Sequence, residues 1–393
     1  MALLLLQVAG SILVSWKYPE PYMDEIFHIK QLGTYLNWDF ATWDDKITTL
    51  PGLYIASWII LQVFPIHKFL GLVFASRLIN ALFGSLCWYL LRSLKDPKTS
   101  EIIMLYPPLF LSGCLYYTDN AALLSILLSY LFLKNKKNKL SALIGLFSII
   151  CRQTNIIWIG YFVLIEISAG LGPSLYQNIK TIWKQKYAII QTYFPFIILL
   201  ILFIAFLIVN KGIAVGDREN HIPVFHFTQI CYLALIMALY TDYDQNLWIK
   251  ALKQLKNVFL FLWLVLISLG VTYFTYEHPF IIADNTHYTF YIWKNILKPY
   301  LYIFPILFEI SFIYLFFRAE NSLRYFIWIF CSCVVLIPAP LLELRYFIIP
   351  IVTFLMQTKT KFSKIRILAL YAINIVTLGI FVFKPYKNIG FLW

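Results

Sequence analysis

The chain alternates apolar stretches with short tracts rich in lysine and arginine, and this alternation leaves few folds open to it. Apolar runs fall at 1–16, 69–91, 101–118, 120–133, 140–150, 155–168, 188–210, 225–241, 257–276, 297–317, 325–340, 345–358 and 367–383. Many approach the about 20 residues that cross a hydrocarbon core as a helix, and none has the short alternating strands of a transmembrane barrel. An ordinary soluble domain is about half apolar and about a quarter charged. This chain is 61% hydrophobic and 13% charged over 393 residues. The expectation is an all-α polytopic membrane protein with about 12–14 transmembrane helices, forming one membrane-embedded domain over residues 1–393.

Six tracts carry the basic load: 92–98, 134–139, 180–186, 250–256, 318–324 and 359–366. They hold 19 of the 32 lysines and arginines. With the helices above, all six lie on one side, which the positive-inside rule makes cytoplasmic. The net charge of +13 is therefore a topology signal and calls for no nucleic acid. The opposite side receives 11 of the 19 carboxylates, in a first loop at 17–68 and in 152–155, 216–223, 277–293 and 343–345. Within that first loop the apolar piece 52–66, between Pro51 and Pro65, reads as an interfacial or re-entrant segment. The N-terminal run lacks a basic leader segment and reads as a short first membrane helix rather than a cleaved signal. The six cysteines lie in or beside apolar runs, as packing residues do, and no disulfide framework is expected.

Polar chemistry of varied kind gathers on the carboxylate-rich side. In the segment Met23-Asp24-Glu25-Ile26-Phe27-His28, Asp24 and His28 are one helical turn apart and share a face. A carboxylate so placed can act as a general base, or it can simply favour a helix N-terminus. Trp43-Asp44-Asp45-Lys46-Ile47-Thr48-Thr49 offers Asp44, Lys46 and Thr48 to sugar hydroxyls or phosphate. The adjacent aspartates point different ways and make a poor metal site. Asp217 and Arg218 stand in a loop with four ionisable groups. Asp284, His287 and Tyr288 follow in another. Arg345, flanked by Glu343 and Tyr346, suits a phosphate or snorkels at a helix end. Arg152 lies between two apolar runs. No metal site and no cofactor is expected.

Taken in order, MDEIFHIKQ, WDDKITTLPGLY, CRQTNIIW, GDRENHIPVFHFTQ, HPFIIADNTHYTFYIW and LLELRYFIIP resemble the family of dolichyl-phosphate-glucose-dependent α-1,2-glucosyltransferases, the DIE2 family, over residues 18–350. The resemblance implies a GT-C membrane fold and an endoplasmic reticulum enzyme with a luminal active site. Such an enzyme transfers glucose from dolichyl β-glucosyl phosphate to the terminal glucose of Glc2Man9GlcNAc2-diphosphodolichol. Its partners are these two lipid-linked sugars and the surrounding membrane lipid. The carboxylate that such enzymes place in their first luminal loop matches Asp24 here, with Glu25 the second choice. Arg345, His287 and Arg152 are implied at the leaving phosphate. His28, Asp44, Lys46, Thr48, Asp217, Arg218, Asp284 and Tyr288 are implied around the sugars. The chain departs from the family in carrying Leu50 where a proline is usual before Pro51-Gly52, and in its shorter loops and N-terminal material. A secondary transporter or a regulatory subunit is the alternative. For a transporter, Asp119, Glu166 and Glu309, with Arg77 as their basic counterpart, would stand near the bilayer midplane.

Overall fold

The computed structural model describes residues 2–169, 171, 175–280, 287–319, 321–359 and 361–384. Every regular element among them is a helix, and the chain gathers into two compact units. Unit 1 comprises residues 1–104 and 109–220, and unit 2 comprises 105–108 and 221–393.

Unit 1 begins with α1 (Ala2–Lys17). The first loop is not bare. It contains α2 (Glu25–Leu36), α3 (Gly52–Val63) and the single turn α4 (His67–Leu70). Pro51 stands before α3, where a missing amide proton costs nothing. A Cβ on Gly52 would come within 2.6 Å of the Cys151 amide nitrogen, so a glycine lets α3 lie against the end of α9. α5 (Leu72–Leu94) follows.

The apolar run expected as one helix over 101–118 is broken into α6 (Pro97–Met104) and α7 (Pro107–Cys114). Pro107 and Pro108 explain the break, since neither can donate to a preceding turn. α8 (Thr118–Lys134), α9 (Asn138–Cys151) and α10 (Asn155–Ser168) pack on one another. α11 (Leu175–Asn210) begins well before the expected 188. Its N-terminal turns are too polar to have read as membrane helix.

Unit 2 contains α12 (Thr228–Tyr240), α13 (Gln245–Gln254), α14 (Val258–Tyr273) and α15 (Tyr288–Ile292), the last running into a π-helical turn over Trp293–Leu297. It closes with α16 (Phe304–Arg318), α17 (Ser322–Leu336), α18 (Ile348–Gln357) and α19 (Lys364–Phe383). α16 is central and packs on α12, α13 and α14. α13 is an addition to the sequence reading, which took 250–256 for a connecting tract. The Asp244 carboxylate starts it by accepting from the Asn246 and Leu247 amides at 3.0 and 3.2 Å. α14 then leaves it at 90°. The run expected over 297–317 starts as helix only at Phe304, because Pro299 interrupts it.

Among the described residues three helices are long and apolar enough to cross a bilayer alone: 72–94, 178–210 and 364–383. Seven further apolar helices have 10–17 residues. At 1.5 Å per residue these are shorter than a hydrocarbon core of about 30 Å. The long helices differ in setting. Half of the apolar window of α5 is buried, against 17% of that of α11. α5 is thus a core helix of unit 1, whereas α11 presents Ile198, Leu200, Ile201, Leu202 and Ile204 outward, as a lipid-facing helix does. The six cysteines are unpaired.

Candidate active site

The start of α2 is held by a buried ion pair. Glu25 and Arg77 are both fully buried, with Arg77 Nη2 at 2.6 Å from Glu25 Oε2. Arg77 Nε donates to Glu25 Oε1 at 3.0 Å. The same carboxylate accepts the backbone N–H of Tyr22 at 2.9 Å and that of Tyr116 at 2.6 Å. The Glu25 amide in turn donates to Tyr22 O at 3.0 Å, so side chain and backbone of Glu25 together close the turn that leads into α2. Because Tyr116 lies just before α8, the pair also ties α2 to the α8 start.

Asp24 sits between these contacts, at the N-cap of α2, half-buried. Its carbonyl accepts from the His28 amide at 3.2 Å, which places His28 one turn along the same face. His28 Nδ1 is 2.5 Å from the hydroxyl of buried Tyr54, and the His28 ring meets Tyr117 edge-on at 6.2 Å. Two residues beyond Tyr117, the buried Asp119 carboxylate receives Arg152 Nη1 at 2.6 Å. Glu166 pairs with Lys136 at 3.1 Å. Three of the four ionisable groups that a transporter would hold near the bilayer midplane thus have other partners in unit 1.

The loop 38–49 is laced onto α2 and onto residues 210–218. Gln31 donates to Thr42 O at 2.8 Å and accepts from the Asp44 amide at 2.9 Å. Asp44 pairs with Lys30 at 3.0 Å and accepts the Lys46 amide at 3.1 Å. Burial alone would raise the Asp44 carboxyl, but these hydrogen bonds and the charges of Lys30 and Lys46 outweigh it and hold the group below its ordinary range. Lys46 reaches Asp217 at 3.6 Å. The Thr48 carbonyl accepts from Gln153 Nε2 at 2.9 Å and from the Val215 amide at 3.1 Å. Arg218 donates to Asn210 Oδ1 at 2.7 Å. A continuous chain of contacts therefore joins the regions of Asp24, Glu25, His28, Asp44, Lys46, Thr48, Arg152, Asp217 and Arg218 in unit 1.

Unit 2 carries the remaining candidates. Arg345 pairs with Glu343 at 3.0 Å, and the neighbouring Leu344 carbonyl accepts from Tyr106 at 3.1 Å. His287 caps the short α15, and Tyr288 is its first residue. Asp284 lies outside the described residues. Glu277 binds Lys298 at 2.8 Å and accepts from Trp293 Nε1 at 2.8 Å, and Lys298, the larger influence, with Trp293 holds its carboxyl low. Beside Leu344 opens a cavity of about 690 Å³, walled by apolar side chains including Tyr232, Leu235, Trp248, Leu252 and Phe304. Among the described residues no three of His, Cys, Asp and Glu come together as a metal site.

The family model described as DIE2/ALG10 matches residues 18–356. The chain belongs to the DIE2/ALG10 family. Curated relatives align with it over most of both chains. A protein of Arabidopsis thaliana named Dol-P-Glc:Glc(2)Man(9)GlcNAc(2)-PP-Dol alpha-1,2-glucosyltransferase is 29% identical, over 96% of this chain and 94% of that protein. Homo sapiens and Candida albicans proteins of the same name are 31% and 30% identical, over 94% and 95% of this chain and 91% of each relative. No solved structure matches.

Family membership puts the whole lacework inside the matched range, while α19 lies beyond it. The Arabidopsis alignment extends over 480 positions, more than the 393 residues present here. This DIE2/ALG10 relative therefore carries residues within the aligned region that have no counterpart in this chain. The sequence reading did not nominate Arg77, Tyr54, Tyr117, Gln31 or Gln153 for the site. An arginine inside the apolar run of α5 was the one available signal, since a charge at that depth needs a partner.

Proposed function

We propose that this chain is an inverting α-1,2-glucosyltransferase of the endoplasmic reticulum membrane. It transfers glucose from dolichyl β-glucosyl phosphate to the terminal glucose of Glc2Man9GlcNAc2-diphosphodolichol, on the luminal side. The names of relatives aligned over nearly the whole chain support donor and acceptor. The charge split between the two faces supports the orientation. The fold belongs, in this reading, to the GT-C class with 12–14 crossings, the shorter apolar helices counted as crossings or re-entrant pieces.

A β-linked donor and an α-linked product require one inversion, hence a single displacement. The acceptor hydroxyl oxygen bonds to the anomeric carbon as the bond from that carbon to the phosphate oxygen breaks. The electron pair leaves with dolichyl phosphate, and the hydroxyl proton passes to a base. Asp24 is that base. The observation that carries this choice is the contrast with its neighbour: Glu25 is fully buried and its two oxygens accept from Arg77, Tyr22 and Tyr116. Asp24 keeps a partly open position on the face it shares with His28.

Phosphate is a capable leaving group and needs cationic support more than a proton. Arg152 in unit 1, and Arg345 and His287 in unit 2, are each candidates for that role on the family resemblance. Asp44, Lys46, Thr48, Asp217 and Arg218 shape the sugar sites, with Tyr288 and Trp43 stacking on sugar rings. The apolar cavity of unit 2 suits a polyprenyl chain, which brings no polar group to satisfy. No metal or other cofactor enters this mechanism.

The test is transfer by purified protein in detergent, given donor and lipid-linked oligosaccharides carrying zero to three glucoses. One α-1,2-glucose gained only by the two-glucose acceptor is the expected product. Well-folded protein that transfers to none of them would return the chain to the transporter or regulatory reading.

A further inference from the structure

Arg77 fastens the chain on both sides of Asp24. Nη1 donates to the Tyr18 carbonyl at 2.6 Å and Nη2 to the Glu20 carbonyl at 3.1 Å, both upstream. Downstream, Nε and Nη2 grip Glu25 at 3.0 and 2.6 Å. A fifth contact reaches Ser15 Oγ at 3.3 Å, on α1. The backbone between these grips is unusual. Met23, immediately before Asp24, has φ +51°, a left-handed state that a residue with a Cβ seldom adopts unless its surroundings impose it. Packing does not account for the arrangement. Replacing a buried ion pair with apolar side chains is often neutral or stabilising, and Arg77 is fully buried on a core helix. A fork of donors is what allows one side chain to hold two carbonyls and a carboxylate at once.

We propose that Arg77, acting through Glu25, is a positioning residue for glucose transfer. It fixes Asp24 relative to the start of α8, which carries Asp119, the partner of Arg152. Glu25 is the hub of this arrangement, since it also receives the Tyr116 amide. The inference rests on the reading of Asp24 as the base. A displacement of about 1 Å at a reacting group can lower a rate about 10²-fold while leaving binding intact, so the loss belongs in kcat.

The experiment compares Arg77→Lys, Glu25→Asp and Asp24→Asn with the full-length wild type in the transfer assay, after size-exclusion and thermal-unfolding checks. Arg77→Lys keeps the charge and loses the fork. Glu25→Asp keeps both charges and draws the carboxylate back by one methylene. Each is expected to lower kcat about tenfold or more, with KM for donor and acceptor within about twofold. Unchanged kcat in either folded variant, or a loss expressed in KM, overturns the assignment. If neither variant gives folded protein, the pair serves assembly of the fold and the assignment also falls. Asp24→Asn separates the two levels. An active Asp24→Asn removes the base itself, whereas an inactive Asp24→Asn beside a fully active Arg77→Lys removes only the positioning role.

Discussion

Arg152 meets Asp119 at 2.6 Å, with the carboxylate side chain fully buried and the guanidinium 17% exposed. Asp119 lies in the first turn of α8, where the helix dipole favours a negative charge. The pair thus holds a cation at the edge of unit 1 in a fixed orientation, the setting in which an arginine recognises phosphate through two parallel hydrogen bonds. Arg152→Lys should keep the fold and lower kcat/KM for the donor by roughly 10²-fold, the scale seen when one charge-stabilising donor is removed. Asp119→Asn should act in the same direction and less strongly. Initial rates with donor and acceptor varied separately check both. An equal rise in the acceptor KM would remove Arg152 from the leaving phosphate.

Under the proposed mechanism Asp24→Asn removes the proton acceptor, with an isosteric amide that the cap position tolerates. Turnover should fall to background with expression and thermal unfolding unchanged. Donor binding, followed with a non-transferable glucosyl lipid, should survive. A variant that turns over at a tenth of the wild-type rate or better would locate the base at another residue.

Asp44 makes the acid behaviour of the first loop predictable in sign. Its carboxyl is held below the ordinary range in the folded chain, and burial opposes that shift without reversing it. A depressed carboxylate contributes stability that is present above the unfolded-state value and is lost as pH falls through the folded one. The Lys30 partner is 72% exposed, so solvent screening limits the contribution to about 0.5 kcal/mol. Asp44→Asn should therefore destabilise slightly at pH 7, and the gap from wild type should close below about pH 4. Thermal unfolding at the two pH values measures this, and a gap that widens on acidification would contradict the ion-pair account.

Much of this arrangement is legible in the sequence, and the unread parts have physical causes. The apolar runs located most of the helices among the described residues, because long stretches of hydrocarbon side chains stand out in the sequence, though only three of those helices are long enough to cross a bilayer alone. They did not give α13, which is amphipathic and sits where a lysine-rich tract reads as a loop. They ran past Pro107-Pro108, where hydropathy is continuous but the hydrogen-bond ladder is not. The polar segments were found because charge on the carboxylate-rich side is conspicuous against 61% hydrophobic sequence. What the sequence left open was the commitment of Glu25 to Arg77. Glu25 and Arg77 are 52 residues apart, and no local spacing connects them.

Gly216 tests whether the lacing of the first loop matters for the site. A Cβ there would stand 2.2 Å from the Asp45 carbonyl oxygen and 2.6 Å from that of Ile47. Both obstacles are backbone, so a side chain cannot simply rotate away. The Asp217 amide, one residue on, donates to Asp45 O at 2.7 Å, and the Val215 amide donates to Thr48 O at 3.1 Å. Gly216→Ala must push these strands of loop apart, and overpacking of this kind costs about 1–3 kcal/mol. The displaced segment carries Lys46 and Thr48, so activity should fall with stability. Gly379→Ala, where nothing lies within 4 Å, is the matched control and should leave both unchanged or slightly raise stability. Thermal unfolding and transfer rates of the two variants decide the matter. Equal behaviour of Gly216→Ala and Gly379→Ala would mean that the 45–48 and 215–217 segments do not hold each other in place.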